Sequence, residues 1–134
     1  MRTAELRLDT SGRRFVDLTP ELRAFAEASS SDGLAHVFVP HATAGLALME
    51  TGSGSEEDLA DALERLLPRD DRYRHAHGSR GHGADHLLPA FLAPSLSVPV
   101  VDGRLMLGTW QSVLLIDPNQ DNPERRVILS FLEG

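Results

Sequence analysis

Cysteine is absent from the 134 residues, which excludes a disulfide framework, a thiolate metal site and a thiol nucleophile. Any metal must therefore be held by histidine, carboxylate or backbone oxygen. Basic residues are the minority, 13 against 20 acidic for a net charge of -7, and this disfavours a surface that tracks phosphate backbones. Nucleic acid is thus not an expected partner. No apolar run approaches the ~18–20 residues of a membrane span, and the opening MRTAELRLDT lacks the apolar core of a signal peptide. The expectation is a cytoplasmic protein with no membrane partner. Neither a repeat nor a linker interrupts the chain, whose length suits one domain over residues 1–134.

What is present is a succession of short elements. Thr3 to Asp9 alternates, with Ala4, Leu6 and Leu8 on one face, and predicts a half-buried strand. Ser11-Gly12 turns into a short strand around Arg14 to Leu18. Thr19-Pro20-Glu21 is in the order of cap, first-turn proline and first-turn acid, with Leu22, Phe25 and Ala26 following at helical spacing. Leu34 to Val39 is a strand, and Thr43 to Glu50 is read as a buried strand because it is short and contains Gly45. Ser55 followed by three acids opens a helix with Leu59, Leu63, Leu66 and Leu67 on its apolar stripe and Pro68 at its end. Arg69 to Asp85 has no apolar rhythm and is expected to be a functional loop, with Asp85 capping a short helix from Leu87 to Leu92.

Asp102-Gly103, between two β-branched-rich runs, predicts a long hairpin from Ser95 to Asp117. In its second arm Leu105, Leu107, Thr109, Gln111, Val113 and Leu115 would share one face, and Met106, Trp110, Leu114 and Ile116 the other, as in a strand covered on both sides. Gly108 marks a bulge, a bend or a close backbone approach. Gln111 either joins an internal polar network or faces a ligand. Asp117 to Pro123 is turn chemistry, and Arg126 to Leu132 is a terminal strand. Strands and about three helices with hairpin connections describe an α+β fold on a largely antiparallel sheet.

Four of the six histidines, His75, His77, His82 and His86, crowd into one stretch. Imidazole is the commonest neutral metal ligand, so the cluster is either a Zn-like or Mn-like site or a solvated polar loop. His41 lies just beyond a strand end. Glu50 ends an apolar run and either emerges into solvent or needs a cation, a metal or several donors. Arg125 and Arg126 are either a solvated pair or supply one guanidinium to an anion. No Walker or dinucleotide-type glycine loop and no nucleophile elbow is present.

Taken together, His41-Ala42-Thr43-Ala44-Gly45-Leu46, Glu50, Tyr73-Arg74-His75, His86, Pro94 to Val100, Gly103-Arg104-Leu105 and above all Leu107-Gly108-Thr109-Trp110-Gln111 resemble the YjbQ-like family, often labelled secondary thiamine-phosphate synthase. The resemblance covers nearly the whole chain. It implies a compact α+β subunit, commonly a homotrimer, with a polar site that has His ligands for a divalent metal ion (Zn, Mn or Mg). By position it makes His41, His75 and His86 the metal ligands and Glu50, Gln111 and Arg126 the catalytic residues. The implied reaction condenses a pyrimidine pyrophosphate with a thiazole phosphate, so the ligand is a small phosphate-bearing molecule. The alternative is a non-enzymatic trimeric protein that binds a metal or small ligand. The chain departs from the family pattern at Met49 and Thr51, where asparagines usually flank the acid, at the TGSGS stretch, and at Gly81-His82-Gly83. His77 and His82 match no recurrent position.

Overall fold

Two antiparallel sheets, with cores on both faces of the smaller one, organise the chain. The computed structural model describes residues 1–134. Its elements are β1 (Arg2–Asp9), β2 (Phe15–Asp17), α1 (Thr19–Glu27), β3 (Gly33–Phe38), β4 (Gly45–Met49), α2 (Ser55–Leu66), α3 (His82–Phe91), β5 (Ser95–Val101), β6 (Arg104–Leu105), β7 (Ser112–Ile116) and β8 (Glu124–Glu133). The larger sheet has the order β1-β8-β3-β5-β6 and the smaller β2-β7-β4. This is the single α+β domain with three helices that the element pattern predicts.

The main core lies between the sheets. Ala35, Val37, Val98, Val100, Val127, Leu129 and Phe131 face Val16, Leu46, Val113 and Leu115, and α1 adds Leu22, Phe25 and Ala26. Those three helix residues are the ones its periodicity assigns to the core. A second cluster on the other face of the smaller sheet joins Leu114 and Ile116 to Leu67, Ala84 and Leu88, with Leu59 and Leu63 packed against it. Alternate residues of β7 therefore enter different cores, so this strand is covered on both sides as expected.

The hairpin's second arm departs from the expectation. Asp102 and Gly103 both adopt positive φ, 49° and 74°, as the tight turn requires. Only Arg104–Leu105 forms a strand with β5, Met106 N–H adds one bond to the Pro99 carbonyl at 2.9 Å, and residues 107–111 then cross to the smaller sheet, where β7 begins. At Gly108 the break is a turn, in which Gln111 N–H donates to the Gly108 carbonyl at 3.1 Å. Met106 and Trp110 are consequently exposed, Trp110 by 73%.

Helix starts differ too. Leu18, not Thr19, is the N-cap of α1, because the Thr19 hydroxyl accepts the Val113 N–H at 2.8 Å and ties the helix to β7 instead. Gly54 precedes α2 with φ 88°, and no residue of α2 is fully buried, Leu66 being exposed. The third helix begins five residues earlier than its apolar run. Gly81, at φ 87°, is the N-cap, and Asp85 is a buried helical residue rather than a cap.

Candidate functional site

The early start of α3 creates the site. His82 and His86 are one helical turn apart and project from the same face. The preceding loop brings His75 onto that face because Gly83 has no side chain: a Cβ there would lie 2.6 Å from both the His75 carbonyl oxygen and Tyr73 Cβ. Tyr73 anchors the loop by donating its hydroxyl to the Pro68 carbonyl at 2.7 Å. Ring centroids are 4.3 Å apart for His82 and His86, 4.5 Å for His75 and His86, and 5.2 Å for His75 and His82. His77 borders the group, 4.2 Å from His75 and 4.4 Å from His82.

One ligand nitrogen from each of His75, His82 and His86 lies within 4.8 Å of the others. Tetrahedral zinc with nitrogens at ~2.0–2.1 Å has ligand atoms about 3.3 Å apart, which small side-chain rotations would reach. His82 gives the more telling sign of fit. Its Nδ1 is 2.9 Å from Asp121 Oδ2, while its Nε2 is buried with no hydrogen-bond partner. Desolvation, reinforced by neighbouring imidazoles, lowers the pKa of the half-buried His86 and of the more exposed His75 from the ordinary 6.5, so both favour the neutral form that can ligate. Beside them is a cleft of about 160 Å³, lined by Asp70, Tyr73, His75, His77, Ser79 and Arg80 among others.

Behind α3 runs a buried polar network. Arg69 pairs with Asp85, and Asp85 Oδ2 accepts from Asn119 Nδ2 at 2.9 Å. Asn119 N–H donates to Asp117, which also takes the Thr43 hydroxyl and pairs with Arg125. Burial pushes the Asp85 carboxyl up, opposed by the Asn119 bond and Arg69. Hydrogen bonds from Ser79 and then His82 hold Asp121 down at about 2. The 117–123 turn is therefore more than a connection.

The other site residues expected from the sequence are divided between two further places. His41 and Arg126 line a separate open cleft of about 550 Å³ with Arg7, Asp9, Asn122 and Arg125, and the Arg126 backbone N–H donates to His41 Nε2 at 2.8 Å. Burial first, and the Arg125 charge next, lower the His41 pKa. The Arg126 side chain reaches Glu5 at 3.1 Å and is half exposed. Glu50 and Gln111 are exposed, and since Met49 pairs with Ser112, the next step of the register sets them opposite each other at the end of the small sheet remote from Asp117. Gln111 Oε1 accepts the Gly108 N–H at 2.9 Å, within the turn.

Thus His75 and His86 converge with His82, whereas His41, Glu50, Gln111 and Arg126 do not join them within one chain. Asp121, Asn119 and Asp117 are the residues that sequence reasoning passed over as turn formers. Arg125 had a usable signal. Extending the last strand by one residue puts it on the inward face with Val127, Leu129 and Phe131.

Fold and site define a class of small α+β proteins with a histidine cluster mounted on a helix start beneath a loop. The chain belongs to the UPF0047 family of YjbQ-like proteins, whose family model matches residues 4–134. A UPF0047 protein of Mycobacterium tuberculosis is 68% identical over 134 residues, covering 100% of both chains. One of Archaeoglobus fulgidus is 38% identical over 130 residues, covering 96% of this chain and 99% of its own. Among solved structures, a hypothetical protein of Aeropyrum pernix K1 superposes with a TM-score of 0.90 at 29% identity, over 100% of each chain.

Proposed function

We propose that this chain is a metal-dependent enzyme in which His75, His82 and His86 hold one divalent cation and a small phosphate-bearing molecule is the substrate. The observation that carries the reading is the convergence of a ring nitrogen from each of three histidines, in a group where His82 Nε2 is buried without a hydrogen-bond partner. An all-nitrogen set favours zinc-class ions over magnesium, which prefers carboxylate and water oxygens. The chain has neither lysine nor cysteine, so Schiff-base and thiolate chemistry are closed to it. A bound cation would stabilise anionic oxygen on the substrate or a departing group. Arg80 and Ser79, at the rim of the adjoining cleft, suit the binding of phosphate oxygens, and His77 suits proton transfer there.

The coupling of a pyrimidine pyrophosphate to a thiazole phosphate, offered by the family resemblance, is the candidate reaction within this class. The reading also has the chain as a homotrimer. Its support is the apolar surface left outside a lone subunit, where Trp110, Met106, Leu132, Leu34 and Phe38 are exposed.

Elemental analysis and zinc titration of the parent, His86→Ala and His41→Ala test the site. The parent and His41→Ala should bind one ion per chain and His86→Ala should lose it; equal content in parent and His86→Ala refutes the metal centre. Product formation from both substrates is then compared with the uncatalysed background. Metal binding without product would sink the synthase reaction and leave a binding protein.

A further inference from the structure

We propose that Asp121 is a positioning residue of the histidine centre: its carboxylate accepts a hydrogen bond from His82 Nδ1–H and so leaves Nε2 as the lone pair presented to the cation. The inference rests on the metal-centre reading above and extends it to a residue outside the histidine stretch, in the turn between β7 and β8.

Imidazole has two nitrogens, and in the neutral ring one donates while the other accepts or ligates. A carboxylate can only accept from Nδ1, so the Asp121 contact at 2.9 Å places the proton on Nδ1. Nε2 is then left with a lone pair in a buried position where no protein donor meets it. A ligand at that atom would supply the partner it lacks, and a carboxylate behind a metal-bound imidazole is the arrangement that fixes ring orientation and raises ligand basicity.

Asp121 is itself held in place. Its Oδ2 lies 3.4 Å from the Ser79 backbone nitrogen and 3.4 Å from Asn119 Nδ2, and its own N–H donates to Asn119 Oδ1 at 3.0 Å. Asn119 also holds Asp85 on α3, the helix that bears His82 and His86, so one side chain ties the carboxylate to the ligand helix. The histidine loop closes over the contact. At Gly78, where φ is 78°, a Cβ would lie 2.6 Å from His82 Nδ1 and 3.0 Å from Asp121 Oδ2. Glycine is needed there for the backbone to pass this close to the bond.

The test compares zinc affinity of parent, Asp121→Ala, Asp121→Asn and His86→Ala by competition with a chromophoric chelator, alongside nitrogen-15 NMR of the histidine rings in the metal-free parent. Loss of the carboxylate should weaken zinc binding about 10–100-fold, with Asp121→Asn intermediate because it keeps an acceptor without the charge. His82 in the metal-free parent should carry its proton on Nδ1. If His86→Ala loses zinc while both Asp121 variants bind like the parent, the positioning role is wrong and the metal centre stands. If His86→Ala binds like the parent, the metal centre itself is wrong. Should Asp121→Ala fail to fold, the NMR decides: a His82 ring protonated on Nε2 overturns the proposal.

Discussion

Asp117→Ala should be among the most damaging single changes in the chain outside the apolar cores. The Asp117 carboxylate and the Arg125 guanidinium, with side chains only 1% and 5% exposed, form a buried ion pair. Truncation leaves Arg125 with the Thr43 hydroxyl at 3.3 Å and the Glu124 carbonyl at 3.4 Å, neither of which carries charge. It also removes the acceptor for Thr43 and for Asn119 N–H, each at 3.2 Å. Breaking one side of a buried pair costs roughly 3–5 kcal/mol, and a unit-charge interaction near contact at an effective dielectric of ~20 gives about 4 kcal/mol, so the two arguments agree. Against a total stability of about 5–15 kcal/mol this is about a fifth at the least. At roughly 3–5 °C per kcal/mol for a chain of this length, the melting midpoint should fall by ~10–25 °C. Far-UV circular dichroism in urea is the assay, because Trp110, the sole tryptophan, is exposed and would report folding poorly. The double variant Asp117→Leu, Arg125→Met should lose less than Asp117→Ala alone, since it leaves no uncompensated charge. A loss below about 1 kcal/mol in Asp117→Ala would refute the view that this pair is a buried electrostatic unit.

Acid should destabilise the metal-free protein. His41, His75 and His86 all have ring pKa values below 6.5, so the folded state binds fewer protons than the unfolded chain as pH drops past that point. Their contribution is complete above ~6.5 and lost as pH falls through the folded values. Asp85, pushed up by burial, acts in the opposite sense, so the test is a variant comparison: in chelator, the fall in urea midpoint from pH 7.5 to 5.5 should be smaller for His41→Gln than for the parent. An equal or larger fall contradicts the assignment for His41. Gly83→Ala should force the His75 loop away from α3, costing ~1–3 kcal/mol by overpacking and weakening zinc binding at least about tenfold in chelator competition; unchanged affinity would mean that the loop does not need this approach. Light scattering should give three times the subunit mass of 14.6 kDa, and a value near 14.6 kDa would remove the trimer. In such a trimer Glu50 and Gln111, at the end of the five-residue β4 away from Asp117 and about 17 Å along it, would serve the histidine centre from a neighbouring copy. Co-refolded His86→Ala and Glu50→Gln subunits should then regain activity that neither has alone; no recovery would rule out shared sites.

Much of the fold is legible where one period dominates. The core face of α1, the alternation of β1 and the two-sided cover of β7 follow directly from residue spacing. The chain's passage between sheets at Met106 to Gln111 is not legible, since Leu105 and Leu107 continue a strand-like alternation while the backbone is already turning. The start of α3 is hidden for a different reason. Gly81-His82-Gly83 has weak helix propensity, and the helix there is supported by tertiary contacts, chiefly Asp85 with Arg69 and Asn119. The candidate site divides in the same way. His75 and His86 stand out by type and family position, but His82 departs from the family pattern and Asp121 lies 39 residues further along the chain. Only the fold can bring that carboxylate behind the ring.

The double cover of β7 bears on how the protein finds its alignment while folding. A slip by one residue would exchange Val113 and Leu115 with Leu114 and Ile116, and since all four are apolar, both cores would still receive hydrocarbon. Greasiness alone therefore barely distinguishes the native register from its neighbour. Discrimination falls to polar atoms at the strand's two ends. At one end the Val113 N–H meets the Thr19 hydroxyl at 2.8 Å; at the other Asp117 N–H reaches the Arg14 carbonyl at 2.9 Å while its carboxylate meets Arg125. A slipped strand would leave these groups dehydrated and unmatched, so Thr19 and Asp117 act as the error check on a strand whose own side chains cannot tell one alignment from the next.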